Sequence, residues 1–252
     1  MPPRSIFITG ASSGLGRGLA LHYAKDGATV HAAARRAQEI EILAREAPPG
    51  HVVPVVLDVT DPVRLVQAIR DAEAASGGAL DLVIANAGMG GPTNARKMDW
   101  AKVRKILDVN VTAACVTVAA ALPAMVTRNA GQVVAISSLA AFRGMPGNAA
   151  YCASKAALHI FMESIRVDLC GTRVVATTIY PGFVKTELTA KNKFRMPFLM
   201  ELDDAVKVMA KGIARKKATI AYPFAMAAAA RGLSVLPRAL YESLAGRSRI
   251  PS

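Results

Sequence analysis

The chain is poor in acids, aromatics and cysteine. Asp and Glu number 18 against 31 Lys and Arg in 252 residues, giving a formal charge of +13, and only 5% of positions are Phe, Trp or Tyr. The three cysteines, Cys115, Cys152 and Cys170, form an odd and widely spaced set. They offer neither a disulfide framework nor a CxxC metal pair. The four histidines (His22, His31, His51, His159) lack HExxH spacing and suitable Cys or acidic neighbours, so no metal site is expected. No run of about 18 uninterrupted apolar residues occurs. The best candidate, Ile220–Leu236, is broken by Pro223 and Arg231. The opening Met1-Pro2-Pro3-Arg4 leads into a run too short for a signal peptide. The expectation is an intracellular, soluble and cytoplasmic chain, with peripheral membrane contact left open. The basic excess would attract nucleic acid, anionic lipid or a phosphate-bearing ligand, and charge alone does not choose among them. No nucleic-acid reader motif or clustered basic–aromatic pattern is present, so nucleic acid is not expected as a partner.

An apolar share of 52% with 19% charged residues suits a globular core. A chain of this length buries roughly three quarters of its unfolded surface. Short β-rich runs alternate with helical ones. Strands are predicted at Ser5–Thr9, Thr29–Ala34, Val52–Leu57, Leu82–Ala85, Gln132–Ser137 and Arg173–Ile179. Helical periodicity fills Gly14–Asp26, Gln38–Glu46, Pro62–Ala75, Ala101–Arg128 and Ala149–Cys170. Asp61-Pro62 supplies an N-cap and a first-turn proline, and Gly131 and Gly171 stand where helices would stop. Strands joined by crossover helices imply a parallel sheet. The fold class is therefore α/β: one Rossmann-like, doubly wound domain over 1–252 with helices on both faces. Such sheets bind ligands beyond the carboxyl ends of their strands.

The first such end reads Thr9-Gly10-Ala11-Ser12-Ser13-Gly14-Leu15-Gly16 and opens a helix. Gly10 permits the turn, Gly14 lets backbone approach a pyrophosphate, and Gly16 allows close helix–strand packing. The helix N-terminus presents unpaired N–H groups to the phosphates. The spacing is G-x-x-x-G-x-G, and Thr9–Gly16 resembles the cofactor loop of the short-chain dehydrogenases/reductases. Further matches follow in order. Asp58-Val59 resembles the family's adenine-contacting turn, and Asn86-Ala87-Gly88 resembles its NAG motif. Asn110 is similar to the helix asparagine, and Ser138, Tyr151 and Lys155 match the catalytic serine and YxxxK pair. Pro181-Gly182-Phe183-Val184-Lys185-Thr186 resembles the PG-x-[VI]-x-T segment.

The second strand ends in Ala34, where an NAD-binding acid would be expected, and continues with Arg35-Arg36. Arg35 can offer a forked guanidinium to a 2′-phosphate. NADP-dependent members of the resembled family often carry Arg there, so NADP(H) is expected over NAD(H). Ser13 departs from the pattern, because some of those members have a basic residue at that position.

Tyr151 and Lys155 lie four apart in a helical segment and project from one face. A neighbouring ammonium and an oxidised nicotinamide ring favour phenolate, so the phenol is expected below its usual value near 10. Tyr151 then protonates an alkoxide or takes an alcohol proton, and Ser138 hydrogen-bonds the substrate oxygen. By resemblance, Lys155 also binds the nicotinamide ribose and Asn110 holds a water linking Lys155 to solvent. Cys152 and Trp100 are read as packing residues. Ala157, two residues beyond Lys155, argues against the spacing of the enoyl-reductase relatives, and the chain lacks room for the larger C-terminal lobe of the epimerases.

Leu188–Met200, within a variable stretch of about 187–202, resembles the family's substrate lid. It carries Phe194, Met196, Phe198, Leu199 and Met200 among Lys191, Lys193 and Arg195. Met and Phe suit a pliable apolar pocket, giving a lipophilic carbonyl or alcohol as the expected substrate. Phe142, Met145, Phe183 and Leu188 are its candidate neighbours beside Ser138. A helix over Asp203–Arg215 and a strand over Ala218–Ala221 follow. The tail of about 223–252 is apolar and helical apart from Pro237, with Arg231, Arg238, Arg247 and Arg249. It either lies in an anionic membrane interface, roofs the pocket, or packs on another subunit. Related proteins assemble as dimers or tetramers through segments matching Ala101–Arg128 and Ala149–Cys170. A catalytically silent NADP-binding scaffold is the competing reading; its signature would be loss of Ser138, Tyr151 or Lys155, and all three are present.

Overall fold

A computed structural model of the chain describes residues 2–190 and 196–247. The lid residues Lys191, Lys193, Phe194 and Arg195, and Arg249 of the tail, lie outside the described residues. Seven strands form one parallel sheet: β1 (Ser5–Thr9), β2 (Thr29–Ala34), β3 (Val52–Val56), β4 (Leu82–Ala85), β5 (Gly131–Ile136), β6 (Val174–Pro181) and β7 (Thr219–Tyr222). Their order is β3-β2-β1-β4-β5-β6-β7, so the chain changes direction between β1 and β4 and opens a crevice there. Pro54 sits in β3, an edge strand, where a missing backbone donor is tolerated.

Helices α1 (Gly14–Lys25), α2 (Ala37–Glu46) and α3 (Pro62–Ala75) follow the first three strands. After β4 come α4 (Trp100–Leu107), a π-helical turn (Asp108–Thr112) and α5 (Ala113–Arg128). The list ends with α6 (Ala149–Asp168), α7 (Glu187–Ala190), α8 (Leu202–Ala214), α9 (Phe224–Ser234) and α10 (Arg238–Arg247). Period-2 alternation in β1 feeds both faces. Ile6 and Ile8 pack with Leu19, Ile40 and Met209 of α1, α2 and α8, and Phe7 packs with Leu65, Val118 and Leu158 of α3, α5 and α6. Both faces are covered, which is why these strands read as continuous apolar runs.

Four local expectations need correction. The predicted helix over Ala101–Arg128 is not continuous: at Asp108–Thr112 it widens, and the Ala113 N–H reaches back to the Asp108 carbonyl. The stop before β5 is Asn129, left-handed at φ 51°, while Gly131 is needed because a Cβ there would lie 2.7 Å from Met125. Trp100 does not pack inside, being 75% exposed on a surface groove with Met98, Val103 and Leu107. The helix long and apolar enough to cross a membrane, among the described residues, is Trp100–Arg128 rather than Ile220–Leu236. Its Ala114, Val118, Ala121 and Met125 are buried in the core. Asp61 caps α3 as expected, accepting from the Arg64 N–H at 3.0 Å.

Candidate active site

The crevice between β1 and β4 is built on two left-handed glycines, Gly10 at φ 69° and Gly14 at φ 53°. Only glycine takes these conformations without cost, which is why the loop spends two residues of that type here. A Cβ on Gly10 would stand 2.8 Å from the Ala87 Cα, and one on Gly16 would stand 2.4 Å from the Gly10 carbonyl oxygen. The loop, the start of α1 and the β4 turn are thus in direct contact. Ser13 occupies the N-cap of α1 but its side chain makes no cap hydrogen bond, so the helix N-terminus keeps its capacity for an external anion. Leu15 packs against the core. The conformation, the uncapped helix and the nearby guanidinium groups fit a dinucleotide.

Asn86 holds this loop. Its Nδ2 donates to the carbonyls of Thr9 (2.9 Å) and Gly10 (3.2 Å), and the Thr9 hydroxyl accepts from the Asn86 and Ala87 N–H groups. Reading the glycines of the motif alone misses Thr9; a hydroxyl closing a buried apolar strand is the signal for its clamping role. Gly88 lies on the same turn, where a Cβ would be 3.5 Å from both the Asn110 Oδ1 and the Lys155 Nζ.

Arg36, more than Arg35, engages the loop. Its Nε and Nη2 donate to the Ser12 hydroxyl at 3.2 and 3.1 Å, and its Nη1 reaches Glu187 at 3.2 Å. Arg35 is paired at 3.8 Å with Asp58, whose carboxyl is held low first by the Thr60 N–H. Val59 is buried beside it.

On α6, Tyr151 and Lys155 stand one turn apart, with the Lys155 Nζ 5.8 Å from the phenol ring centroid. The ammonium donates to the Ile136 carbonyl at 2.8 Å, and the Ser137 hydroxyl donates to the Lys155 carbonyl. Lys155 is 4% exposed, and burial pushes it down to about 8. The phenol moves the other way from the expectation: burial pushes Tyr151 above its ordinary value, opposed by a hydrogen bond from Ser138. In the protein alone, desolvation outweighs that hydrogen bond. Ser138 caps a short 3-10 turn by accepting from the Ala140 N–H at 3.1 Å.

Asn110 is fully buried in the π-helical turn. Its Oδ1 accepts from the Met89 N–H at 2.8 Å, and its Nδ2 donates to the Met89 carbonyl and to the Ser154 hydroxyl. Ser154 in turn donates to the Tyr151 carbonyl. The side chain therefore ties the β4 turn to the Tyr151 helix, and the wide turn is what aims it there.

The Pro181–Thr186 segment closes over the loop. Thr186 lies where a Cβ on Gly14 would meet it at 3.3 Å, Val184 is buried, and Gly182 would meet Pro223 at 2.9 Å if it carried a Cβ. Leu188 and the Tyr151 ring both lie against Gly90, each within 4 Å of a Cβ built there. Met200 pairs back to Phe183 and Lys185 through backbone hydrogen bonds, anchoring the far end of the lid. Met145 is 41% exposed, and its N–H donates to the Sγ of the buried Cys152. Phe142 instead packs on Tyr180 and His159 beneath α9, with ring centroids 5.1 and 5.8 Å away.

A family profile described as short chain dehydrogenase matches residues 4–196. An uncharacterized oxidoreductase of Myxococcus xanthus (strain DK1622) is 53% identical over 251 residues, covering 99% of each chain. Two solved structures share the fold. A short-chain dehydrogenase from Sphingobium yanoikuyae, in complex with NADPH, superposes with a TM-score of 0.79 at 24% identity, covering 94% of this chain and 97% of that one. A short chain dehydrogenase/reductase from Burkholderia phymatum, in complex with NAD, gives 0.84 at 22% identity, covering 99% and 98%. The glycine loop, the β4 turn and the Tyr151–Lys155 helix thus lie within the matched span, and the chain belongs to the short-chain dehydrogenase family of oxidoreductases.

Proposed function

We propose that the protein interconverts a carbonyl and a secondary alcohol with NADP(H), using Tyr151 as general acid and base. The observation that carries this reading is the phenol of Tyr151 placed one turn from a buried lysine and beside Ser138. When bound, the nicotinamide gives or takes the hydride. The residues that would hold the cofactor are Gly10, Ser12, Ser13, Gly14, Leu15 and Gly16 at the pyrophosphate and Asp58 and Val59 at the adenine. Asn86, Ala87 and Gly88 shape the inner wall, and Pro181, Gly182, Val184 and Thr186 the outer one. Lys155 orients the ribose. Tyr151 releases its proton to the substrate oxygen during reduction and recovers one during oxidation. The Ser138 Oγ accepts from Ala140, and its own hydrogen, which faces Tyr151 in the protein alone, would turn to that same substrate oxygen as charge builds up. Asn110 keeps the β4 turn and the Tyr151 helix in register.

The phosphorylated cofactor is favoured because β2 ends on Ala34 and hands two guanidinium groups to the crevice, one already on the phosphate loop. A lipophilic substrate is favoured by the exposed apolar side chains of Leu188 and Met145. Purified protein screened with NADPH and NADH against acyl, steroid, aromatic and sugar carbonyls tests both points. NADPH is expected to outperform NADH by about 10- to 100-fold, the worth of one or two charge-assisted hydrogen bonds. Equal use of the two cofactors would remove the NADP reading, and turnover confined to the sugars would remove the lipophilic one.

We also propose that the tail rests on anionic membrane. Phe224 is 84% exposed and shares a cavity of about 380 Å³ with Lys211, Arg215, Lys217 and Arg231, and no acid lines it. Val235, Leu240 and Leu244 are exposed further along. Apolar rims beside unopposed cations suit an anionic interface. The protein is expected to sediment with phosphatidylserine vesicles at low salt and to leave them at high salt. No binding at low salt would end the idea.

A further inference from the structure

Three consecutive residues at the root of α7 reach across the whole crevice. Thr186 lies against Gly14 of the phosphate loop, Glu187 pairs with Arg36 at the end of β2, and Leu188 lies against Gly90, as does the Tyr151 ring. The Arg36–Glu187 pair joins positions 151 residues apart at 3.2 Å, while the same guanidinium holds the Ser12 hydroxyl. Ordinary chemistry gives this acid an odd place. A carboxylate set on the cation that would bind a phosphate occupies the position of that phosphate, with the same bonding preference.

We propose that Glu187 is a cofactor-specificity residue: an internal anion that holds Arg36 until a ribose 2′-phosphate displaces it, thereby releasing α7. The proposal rests on the reading of the protein as NADP-dependent. Both partners are solvent-exposed, at 45% and 64%, so their attraction is weak and a dianion outcompetes it. A cofactor without the 2′-phosphate leaves the pair intact. Because Leu188 is covalently next to Glu187 and lies, like the Tyr151 ring, against Gly90, the identity of the cofactor at one end of the crevice sets the freedom of a residue at the other. Discrimination between cofactors and access for substrate are then linked through one short helix.

The test uses adenosine 2′,5′-bisphosphate and 5′-AMP, which differ only in the 2′-phosphate, titrated calorimetrically into the wild-type protein and into Glu187→Gln. Removing the carboxylate is expected to tighten binding of the bisphosphate by about 3- to 10-fold at low salt, as screened repulsion between neighbouring charges allows. Binding of 5′-AMP should change by less than about 2-fold, because it brings no charge to Arg36. Hydrogen exchange supplies a readout independent of affinity. In the wild type, amides of 186–190 should exchange faster with the bisphosphate than with 5′-AMP, and in Glu187→Gln they should exchange fast without ligand. An unchanged or weakened affinity of Glu187→Gln for the bisphosphate would overturn the role of Glu187. If the wild type prefers the bisphosphate yet the variant keeps the same ratio, NADP dependence stands and only the Glu187 proposal is lost. If the wild type binds both ligands equally, the cofactor reading itself has failed and this proposal falls with it.

Discussion

Replacing Tyr151 by Phe is expected to lower the turnover of ketone reduction by about 10²- to 10⁴-fold, the usual worth of a positioned proton donor. The ring and its packing by Gly90 remain. Cofactor affinity, read from the fluorescence of bound NADPH, should therefore move little. The wild-type pH profile should carry the mark of a phenol pushed up by burial. At neutral pH Tyr151 is protonated and fit to donate, so reduction proceeds there. Oxidation needs the phenolate and should rise as pH increases into the alkaline range. Bound oxidised nicotinamide, being cationic, would bring that rise to lower pH. A variant that keeps full turnover, or one that loses NADPH binding in parallel with rate, would remove Tyr151 from the proton-transfer role.

Much of this arrangement could be read before any coordinates. Strand and helix positions follow from apolar runs buried on both faces of the sheet, and each predicted strand agrees with the structure to within two residues at its ends. The glycine loop was legible because Gly10 and Gly14 take conformations that few other residues tolerate. Other features leave no mark in a one-dimensional pattern. The π-helical turn adds one residue to a helix whose apolar spacing continues on both sides, so only the backbone bond from Ala113 to Asp108 discloses it. Which of two adjacent arginines meets the loop depends on the path of the chain after β2, and the path chose Arg36. The partner acid, Glu187, is 151 positions away and carries no local signal. The direction of the Tyr151 shift is hidden for a different reason: spacing reveals the neighbouring charge, whereas the burial that raises the phenol appears only once the helix is packed.

Burial of Lys155 gives the second large effect, and its sign can be worked out. The folded ammonium is 4% exposed and titrates at about 8, whereas an unfolded lysine titrates near 10.4. Below about pH 8 both states are charged, and the folded state bears the full cost of desolvation. Between that value and about 10.4 the unfolded chain holds a proton that the folded one has lost, so raising the pH stabilises the fold. Above that window the two states again match. Urea unfolding of the cofactor-free wild type should therefore gain stability relative to Lys155→Met by up to about 3 kcal/mol across this interval. The comparison with Lys155→Met cancels other alkaline titrations, and the carbonyl of Ile136, orphaned in the variant, adds a cost that does not vary with pH. A flat difference from pH 7.5 to about 10.5 would mean that water reaches the ammonium. Lys155 would then be an ordinary solvated cation rather than the desolvated one that the geometry beside Tyr151 requires.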